Sequence, residues 1–503
     1  MAEQSSSEHS SSDTDSSSNA SGSASSSEGD AGRKMTSFEL CSNVLISITG
    51  TVVLGIGSKM QQGGWVLTPL VLVLGTAVIS EMVWVVSTTI DRAKAKDAAV
   101  EAPRSYKDYA FLALGRPGEI VSTLTSTFSL FSMICGGLIV LAQNMQAILP
   151  VPDSLPGMPG EGQKWWALAL TLETLVFVFV DIGDLLDKSA LLGPAVTAGV
   201  FIMVFWGCAR AWSALEEFPE ECRPGAEYHS MWPSAEGGFV GLSLIFAQLA
   251  SYSIFVFAIV VTVPTLKSET AKPKRLVPAT VLAFVIATAL FVGLMLAYYA
   301  SFGNLGPENI IQAMHTRRPP GWWATSHPWR TGHETRLGQA LAWLVNLHLC
   351  LSDVVYVGCT VVAFEALVPR RARKTRAAWL LLRLGIAAGR TLVATVVTSF
   401  TTLSSLTGSL FVVCNNILLP ILGFYAVCGR RAAGPLRKLL HALIFAFGLY
   451  MVVAGTWGSI KTLVGAADAS SEIGAFPRAG ISDECRAAYA RAVAGGNASS
   501  VVQ

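Results

Sequence analysis

The chain has 503 residues, of which 52% are hydrophobic and only 14% are charged, and its formal net charge is +2 at pH 7. A soluble domain usually carries about 25% charged residues, because a closed globule must present polar groups to water. The composition therefore excludes an ordinary soluble enzyme and predicts an integral membrane protein.

The first 34 residues differ from the rest, because fourteen of them are serine, six are acidic and none belongs to an apolar run. Such a segment cannot bury enough apolar surface to offset its chain entropy, so we predict a disordered, acidic, cytoplasmic tail over 1–35. It lacks the basic region followed by an apolar stretch that marks a secretory signal peptide. Serines followed by an acid, as in 5–8 and 10–13, indicate either phosphorylation sites or a plain solvated tail.

Residues 36–463 form the predicted transmembrane domain, and 464–503 a tail on the extracytoplasmic side. Long stretches without Lys, Arg, Asp or Glu recur in this domain, such as 120–152 and 276–307. A bilayer core about 30 Å thick needs roughly 20 apolar residues per helix, and backbone groups in lipid must bond within the segment. We predict an all-α polytopic membrane protein with eleven transmembrane helices, at 38–58, 63–90, 118–149, 164–181, 190–210, 238–263, 277–302, 336–366, 378–400, 404–427 and 439–462.

The uncharged stretch 391–429 is too long for one ordinary transmembrane helix. The polar cluster 401–405 in its middle predicts a tight turn between the ninth and tenth helices. With the N-terminus in the cytoplasm, this division leaves 22 of the 36 Lys and Arg residues in cytoplasmic segments, as the positive-inside rule requires. A single helix here would move the basic cluster 430–438 to the outside, so the charges favour eleven helices.

Glycines are concentrated in the middle of the first predicted helix, at Gly50, Gly55 and Gly57. Glycine weakens a helix by up to about 1 kcal/mol relative to alanine. One interpretation is close packing of small residues against a neighbouring helix. The other is a broken helix whose free backbone groups bind a solute, with the positive end of a half-helix suited to a carboxylate. The spacing alone does not separate them.

The same region resembles a known transporter family. The stretch 50–57 followed by 61–65 is similar to the amino acid/auxin permease family of the amino acid/polyamine/organocation superfamily, whose first helix has a G-x-x-(V/I)-L-G pattern followed by G-(W/F). Further similar motifs follow in the family's order at 105–109 with 114–115, at 265–273, at 298–303 and at 406–409.

The resemblance implies two inverted five-helix repeats plus one extra helix, with ion-coupled symport or exchange of amino acids. It also implies a substrate site between the first and sixth helices. The partner break in the sixth helix is expected near 250–253. Carried over by position, the substrate-binding residues would be Gly50, Thr51, Leu54, Gly55 and Gly57 in the first helix and Ser251 and Tyr252 in the sixth.

Three acids lie inside predicted helices, where a charge costs about 2.5–3.5 kcal/mol on insertion scales. Asp353 is the first candidate for ion coupling, Glu81 the second and Glu173 the third. A buried carboxyl can load and release a proton, or it can be a neutral or paired structural group. For Asp353 the structural partner would be Arg383 or Arg390.

The predicted coupling ion is a proton rather than sodium. The sodium-coupled branch of the family often has Asn four residues before the first glycine, and this chain has Ile46 there.

The sequence contains no motif for catalysis or metal binding. Its nine cysteines and seven histidines are scattered without a CxxC pair or a His pair at ligand spacing. It has no nucleophile elbow, P-loop or zinc-protease motif. We therefore expect no catalytic residue, no metal site and no cofactor, which excludes an enzyme and an ATP-driven pump.

The expected function is secondary active transport of amino acids. Two other classes stay open: an amino acid sensor that signals through the N-terminal tail, and a structural membrane protein without a substrate. The expected partners are a small amino acid and the lipid bilayer, with no nucleic acid. The expected location is the plasma membrane or a vacuolar or endolysosomal membrane, with the N-terminus in the cytoplasm.

Overall fold

The computed structural model describes residues 35–49, 52–96, 103–149, 151, 162–179, 195–209, 212, 229–233, 238–303, 309–311, 332–368, 375–397 and 399–469. Helices account for nearly all of this part of the chain. Within it, the only pairing of extended backbone joins Met35 to Thr270. The predicted all-α class is confirmed.

The first half contains six helices among its described residues. They are α1 (Ser37–Ile48), α2 (Val52–Lys96), α3 (Tyr106–Ile148), α4 (Gly162–Ala169), α5 (Thr171–Phe179) and α6 (Ala195–Ala209). A capping box begins α1, in which the Thr36 hydroxyl accepts from the Glu39 amide while the Glu39 carboxylate accepts from the Thr36 amide.

The described residues of the second half form seven further helices. They are α7 (Gly238–Val256), α8 (Val263–Glu269), α9 (Leu276–Phe302), α10 (Gly332–Leu367), α11 (Arg376–Val396), α12 (Phe400–Cys428) and α13 (Pro435–Tyr450, continued by Met451–Gly455 and Thr456–Ala469). Three of their segments are π-helical: Gly408–Val412 and Cys414–Leu418 in α12, and Met451–Gly455 in α13.

Seven helical segments of the described chain are long and apolar enough to cross a bilayer. They are Gly55–Lys96, Tyr106–Gln146, Gly238–Glu269, Pro273–Phe302, Arg376–Val396, Phe400–Cys428 and Pro435–Val464. Large apolar side chains such as Leu172, Phe239 and Leu436 are exposed on the outside of the bundle. Lipid is the solvent that such a surface requires, so the chain is an integral, multi-pass membrane protein.

Glycines with positive φ divide the two longest helices. The φ of Gly64 is +69° and that of Gly115 is +67°, and both lie in the region that glycine adopts without steric cost. Gly64 also needs to lack a side chain, because a Cβ there would lie 2.5 Å from the carbonyl oxygen of Ser230. The turn at Gly64 separates the segments predicted at 38–58 and 63–90.

The first helix is broken over fewer residues than predicted. Helix α1 ends at Ile48 and α2 begins at Val52, so the interruption lies at 49–51 and not across 50–57. Gly55 and Gly57 are therefore helical. Gly50 and Thr51 lie outside the described residues.

The break in the sixth predicted helix lies at 257–259, not near 250–253. Residues 250–253 stay helical, and the Ser251 hydroxyl donates to the Ala247 carbonyl at 2.7 Å. Downstream, Pro264 has no amide hydrogen and its ring would clash with the Val260 carbonyl in a continuous helix. The chain instead forms the 3-10 turn Val260–Thr262 and restarts as α8.

The predicted division of 391–429 into two helices is observed, but the turn lies at 397–399 instead of 401–405. Ser399 caps α12 by accepting from the Thr402 amide at 3.1 Å. Ser404 and Ser405 donate their hydroxyls to carbonyls one turn earlier, both at 2.8 Å. Hydroxyls satisfied in this way are tolerated inside a helix, so a polar cluster did not mark the turn.

Candidate functional site

The beginning of α2 is packed tightly against two other helices. A Cβ on Gly55 would lie 2.7 Å from Thr401 Cγ2 and 3.0 Å from the Phe400 ring, both in α12. A Cβ on Gly57 would lie 2.4 Å from the Tyr298 ring in α9. At these two positions the close-packing interpretation of the glycines is correct, and the packing places the break at 49–51 beside α12 and α9.

The predicted partners in the sixth helix are both buried. The backbone of Ser251 approaches α12 so closely that a Cβ on Gly408 would lie 2.1 Å from the Ser251 carbonyl oxygen. The Tyr252 ring faces Lys59 of α2, with Nζ 5.2 Å from the ring centroid. The structure thus brings Gly55, Gly57 and Tyr252 together around the first turns of α2. The side chain of Leu54 lies outside the described residues.

Lys59 is a site residue that sequence reasoning missed. It is only 2% exposed, and its ammonium group lies 3.2 Å from the Ser405 hydroxyl and 3.3 Å from Gln62 Oε1. A buried ammonium group requires hydrogen bonds and favourable partners. Lys59 separates two charge-free stretches, which marked it as the end of a helix. Because the first helix continues past it, the lysine lies within the bundle.

Helix α12 carries a second group that the sequence did not single out. Asn415 and Asn416 lie in the π-helical segment Cys414–Leu418 and are buried. The amide of Asn415 is paired, accepting from Thr125 at 2.7 Å and donating to Ser126 at 3.2 Å. Neither amide atom of Asn416 has a hydrogen-bond partner among the described residues. Its place in a π segment, which occurs often at functional sites, makes Asn416 a candidate site residue.

Asp353, the first coupling candidate, is paired with Arg390 of α11. The guanidinium group donates to Asp353 Oδ2, to the Thr174 hydroxyl at 2.8 Å and to the Ile134 carbonyl at 2.8 Å. Arg390 is fully buried and the Asp353 side chain nearly so. Of the two structural partners considered from the sequence, Arg390 is the one that contacts Asp353.

Glu81, the second candidate, has two basic residues of α13 as partners. Its Oε1 lies 2.8 Å from Arg437 Nε and 3.0 Å from His441 Nε2. The His441 Nδ1 atom lies 3.1 Å from the Tyr425 hydroxyl, and the Arg437 guanidinium stacks 3.5 Å from the Trp84 ring centroid. Glu81 is therefore held in place by a polar cluster between α2, α12 and α13.

Glu173, the third candidate, differs from the other two. Both of its carboxyl oxygens are buried beside the Cys350 thiol, a weak donor, and have no other hydrogen-bond partner among the described residues. It precedes Thr174, whose hydroxyl binds Arg390, and its carboxyl interacts electrostatically with Asp353 and Arg390. The structure thus brings two of the three predicted acids into one buried cluster.

Polar contacts tie the helices together at the end of the bundle that holds Met35. Lys267 of α8 lies 2.7 Å from the Asp91 carboxylate and donates to the Ser87 carbonyl at 2.7 Å. The Met35 amide donates to the Glu269 carbonyl at 2.9 Å. Helix α8, which follows the second break, is therefore connected both to α2 and to the segment before α1.

A short strap, residues 229–233, closes the opposite end beside Gly64. The Trp65 amide donates to the Ser230 carbonyl at 3.1 Å, and the Ser230 amide donates to the Tyr299 hydroxyl at 2.8 Å. The His229 Nε2 donates to the carbonyls of Tyr299 and Ala300 at 2.9 and 3.2 Å. Burial between these groups lowers the pKa of His229 below its usual value.

Sequence comparison relates the chain to known proteins. A family model described as transmembrane amino acid transporter protein matches residues 33–461. The chain is similar to amino acid transporter AVT1I of Arabidopsis thaliana, with 20% identity over 434 residues, which are 85% of this chain and 95% of the relative. It is also similar to amino acid transporter AVT1J of the same plant, with 18% identity over 433 residues, which are 86% and 92% of the two chains.

Proposed function

The chain belongs to the transmembrane amino acid transporter family, and on this premise we propose that it is a secondary active transporter that moves amino acids by proton-coupled symport or exchange. The resemblance predicted from the sequence is confirmed. Members of this family and the similar Arabidopsis proteins are transporters, so the expectation that the chain is not an enzyme is confirmed as well.

The observation that carries the proposal is a pair of interrupted helices. The α1/α2 break at 49–51 and the α7/α8 break at 257–259 fall in the first and sixth of the predicted transmembrane helices. Secondary transporters bind substrate and coupling ion at such breaks, at equivalent positions of two inverted repeats. The breaks support the finer proposal of eleven transmembrane helices, built as two inverted five-helix repeats plus one.

The ends of the half-helices supply the proposed substrate contacts. Helix α2 begins at Val52, so the amides of its first turn have no partner within the helix and carry partial positive charge. We propose that they and the backbone of Gly50 and Thr51 hold the substrate carboxylate. The carboxyl-terminal end of α7, which carries partial negative charge, suits the substrate amino group. Tyr252 and Lys59 lie one to two helical turns from these helix ends and line the edge of the proposed site.

A proton is the proposed coupling ion. Ile46 replaces the Asn that the sodium-coupled branch often has, and the described helices contain buried carboxyls that can exchange a proton. The proposed location is the plasma membrane or a vacuolar or endolysosomal membrane, with the N-terminus in the cytoplasm.

A sensor function is a second candidate, favoured by one contact. The backbone pairing of Met35 with 269–271 joins the chain directly after the serine-rich tail to α8, the half-helix beyond the second break. A substrate that moves α8 would therefore also move the beginning of the tail. A sensor would bind amino acids with little net flux.

The test is uptake into proteoliposomes. Proteoliposomes that contain the purified protein would be supplied with radiolabelled proteinogenic amino acids. Uptake would be measured with and without an inward pH gradient, in sodium and in choline buffers. We expect accumulation that depends on the pH gradient and is unchanged by sodium replacement. Empty liposomes are the control. Binding without flux would favour the sensor. The absence of both binding and flux would contradict both functions.

A further inference from the structure

Four helices meet at one buried guanidinium group. Arg390 of α11 donates to the Ile134 carbonyl of α3, to the Thr174 hydroxyl of α5 and to the Asp353 carboxylate of α10. A Cβ on Gly137 of α3 would lie 2.8 Å from Asp353 Oδ1, so the carboxylate is enclosed on that side as well. The donors of Arg390 are thereby committed to three fixed acceptors.

The cluster contains one cation and two acids. Glu173 lies next to Thr174 in α5 and interacts electrostatically with Asp353 and Arg390. The other ionisable groups around it are the thiols of Cys350 on α10 and Cys135 on α3. Fully ionised, Arg390, Asp353 and Glu173 would carry one net negative charge away from water. One bound proton makes the cluster electroneutral. Because a buried uncompensated charge is costly, this singly protonated state is favoured.

The contacts also show which acid holds that proton. Asp353 receives a charged hydrogen bond from Arg390, whereas the Glu173 carboxyl lies beside the Cys350 thiol, a weak donor, and its oxygens have no other hydrogen-bond partner among the described residues. Building on the proposed proton-coupled transport, we infer that Glu173 is its proton-binding residue and that the Arg390–Asp353 pair is the fixed charge that limits the site to one proton. Loading converts the carboxylate to a carboxylic acid, and the proton passes to water when the site opens.

A second ion pair on the same two helices shows what a balanced pair looks like. Arg383 lies seven residues before Arg390 on α11, and its Nη1 is 2.6 Å from Glu365 of α10. Its Nε donates to the Val178 carbonyl at 3.0 Å, as that of Arg390 does to Ile134. Here one cation meets one acid, so the pair is neutral without a proton. Glu365 therefore provides a matched control for Glu173.

The experiment compares wild type, Glu173→Gln and Glu365→Gln in proteoliposomes with the membrane potential clamped. The probe is a radiolabelled mixture of protein amino acids, and both accumulation under a pH gradient and exchange at equal pH are measured. If one proton accompanies each substrate, a gradient of one pH unit supports a roughly tenfold accumulation ratio in wild type. We expect the same ratio for Glu365→Gln and a ratio of about one for Glu173→Gln, whose exchange continues without dependence on pH.

Wild-type accumulation by Glu173→Gln, or loss of its exchange at unchanged thermal stability, would overturn the inference. If Glu173→Gln does not fold, Glu173→Asp answers the same question. Because Glu173→Asp retains a carboxyl, we expect it to keep the uptake that the pH gradient drives. Loss of that uptake in Glu173→Asp would assign Glu173 a role in packing. A wild-type protein that moves no amino acid contradicts the proposed function itself, while accumulation by both wild type and Glu173→Gln contradicts only the inference.

Discussion

Single glycines at the beginning of α2 determine how closely it approaches α12 and α9. Gly55 lies against Phe400 and Thr401, and Gly57 lies against the Tyr298 ring. A side chain at either position would push α2 away from its neighbours. Since the break at 49–51 is only one turn away, this displacement would also move the free amides at the start of α2.

We expect Gly55→Val to lose transport. Its Cβ would lie 2.7 Å from Thr401 Cγ2, and overpacking of this kind typically costs about 1–3 kcal/mol. The measurement is uptake together with thermal unfolding of the purified protein. Gly385→Ala is the control, because a Cβ at Gly385 of α11 meets no atom within 4 Å. Wild-type flux in a folded Gly55→Val protein would show that the spacing of α2 is not critical.

The charged residues of the buried cluster should differ in their effect on stability. Arg390→Gln leaves two acids without a cation, and breaking a buried pair typically costs about 3–5 kcal/mol. Asp353→Asn should cost less, because Glu173 can then ionise beside Arg390. Glu173→Gln should cost least. Thermal unfolding measures this order, with Arg383→Gln as a control that loses a partly exposed pair worth about 0–1 kcal/mol. Equal stability of Arg390→Gln and wild type would contradict the order.

At the scale of helices, the two breaks have different local causes. The break before Val52 follows a glycine in the sequence, whereas the break at 257–259 precedes Pro264 by several residues. A proline acts on the turn before it, because it lacks the amide hydrogen that would bond to residue i−4. This is why the position that the resemblance implies, near 250–253, missed the second break.

We expect Pro264→Ala to shorten the second break and reduce transport. Alanine restores an amide that can donate to the Val260 carbonyl, which extends α8 toward α7. Hydrogen exchange of the amides at 257–262 should become slower while uptake falls. Pro435→Ala is the control, because Pro435 likewise occupies the first turn of a helix, α13, but follows the loop 429–434 and not the second break. Unchanged exchange rates in Pro264→Ala would show that the proline does not maintain the break.

The sequence was sufficient for the all-helical membrane class and insufficient for the contacts between helices. Charge-free stretches locate a helix because each must satisfy its backbone within itself. The partners of Asp353 lie 37 residues away in Arg390 and 180 away in Glu173, and no local pattern encodes such distances. Lys59 was missed for the same reason. A single charge at the end of an apolar stretch gives the same sequence pattern whether its side chain faces outward or is buried between helices.

At the scale of the whole molecule, polar contacts tie both ends of the bundle. The Lys267–Asp91 pair and the Met35 backbone contacts lie at one end, and the strap 229–233 lies at the other. Transport requires each end to open in turn. Weakening the contacts at one end therefore tests how that end opens, without altering the substrate site.

The strap should loosen in acid. Because burial lowers the pKa of His229 below its unfolded value of 6.5, the unfolded state binds more protons between the two values. The stability that neutral His229 contributes is present above about pH 6.5 and is lost as the pH falls through its lowered pKa. The protection factor of the amides at 229–233, which is corrected for the intrinsic pH dependence of hydrogen exchange, should fall on acidification in wild type. It should stay constant in His229→Gln, which keeps a donor but does not titrate; equal pH dependence in both would contradict this.

The π-helical segments of α12 affect how substitutions along this helix should be read. Each of these segments bonds i to i+5, so residues that share a face are spaced more widely there than the 3.6-residue period of an α-helix. A helical wheel drawn from Phe400 loses register after Gly408 and again after Cys414. In a complete mutational scan, the positions of α12 that tolerate change should therefore follow a spiral around the helix instead of a straight stripe.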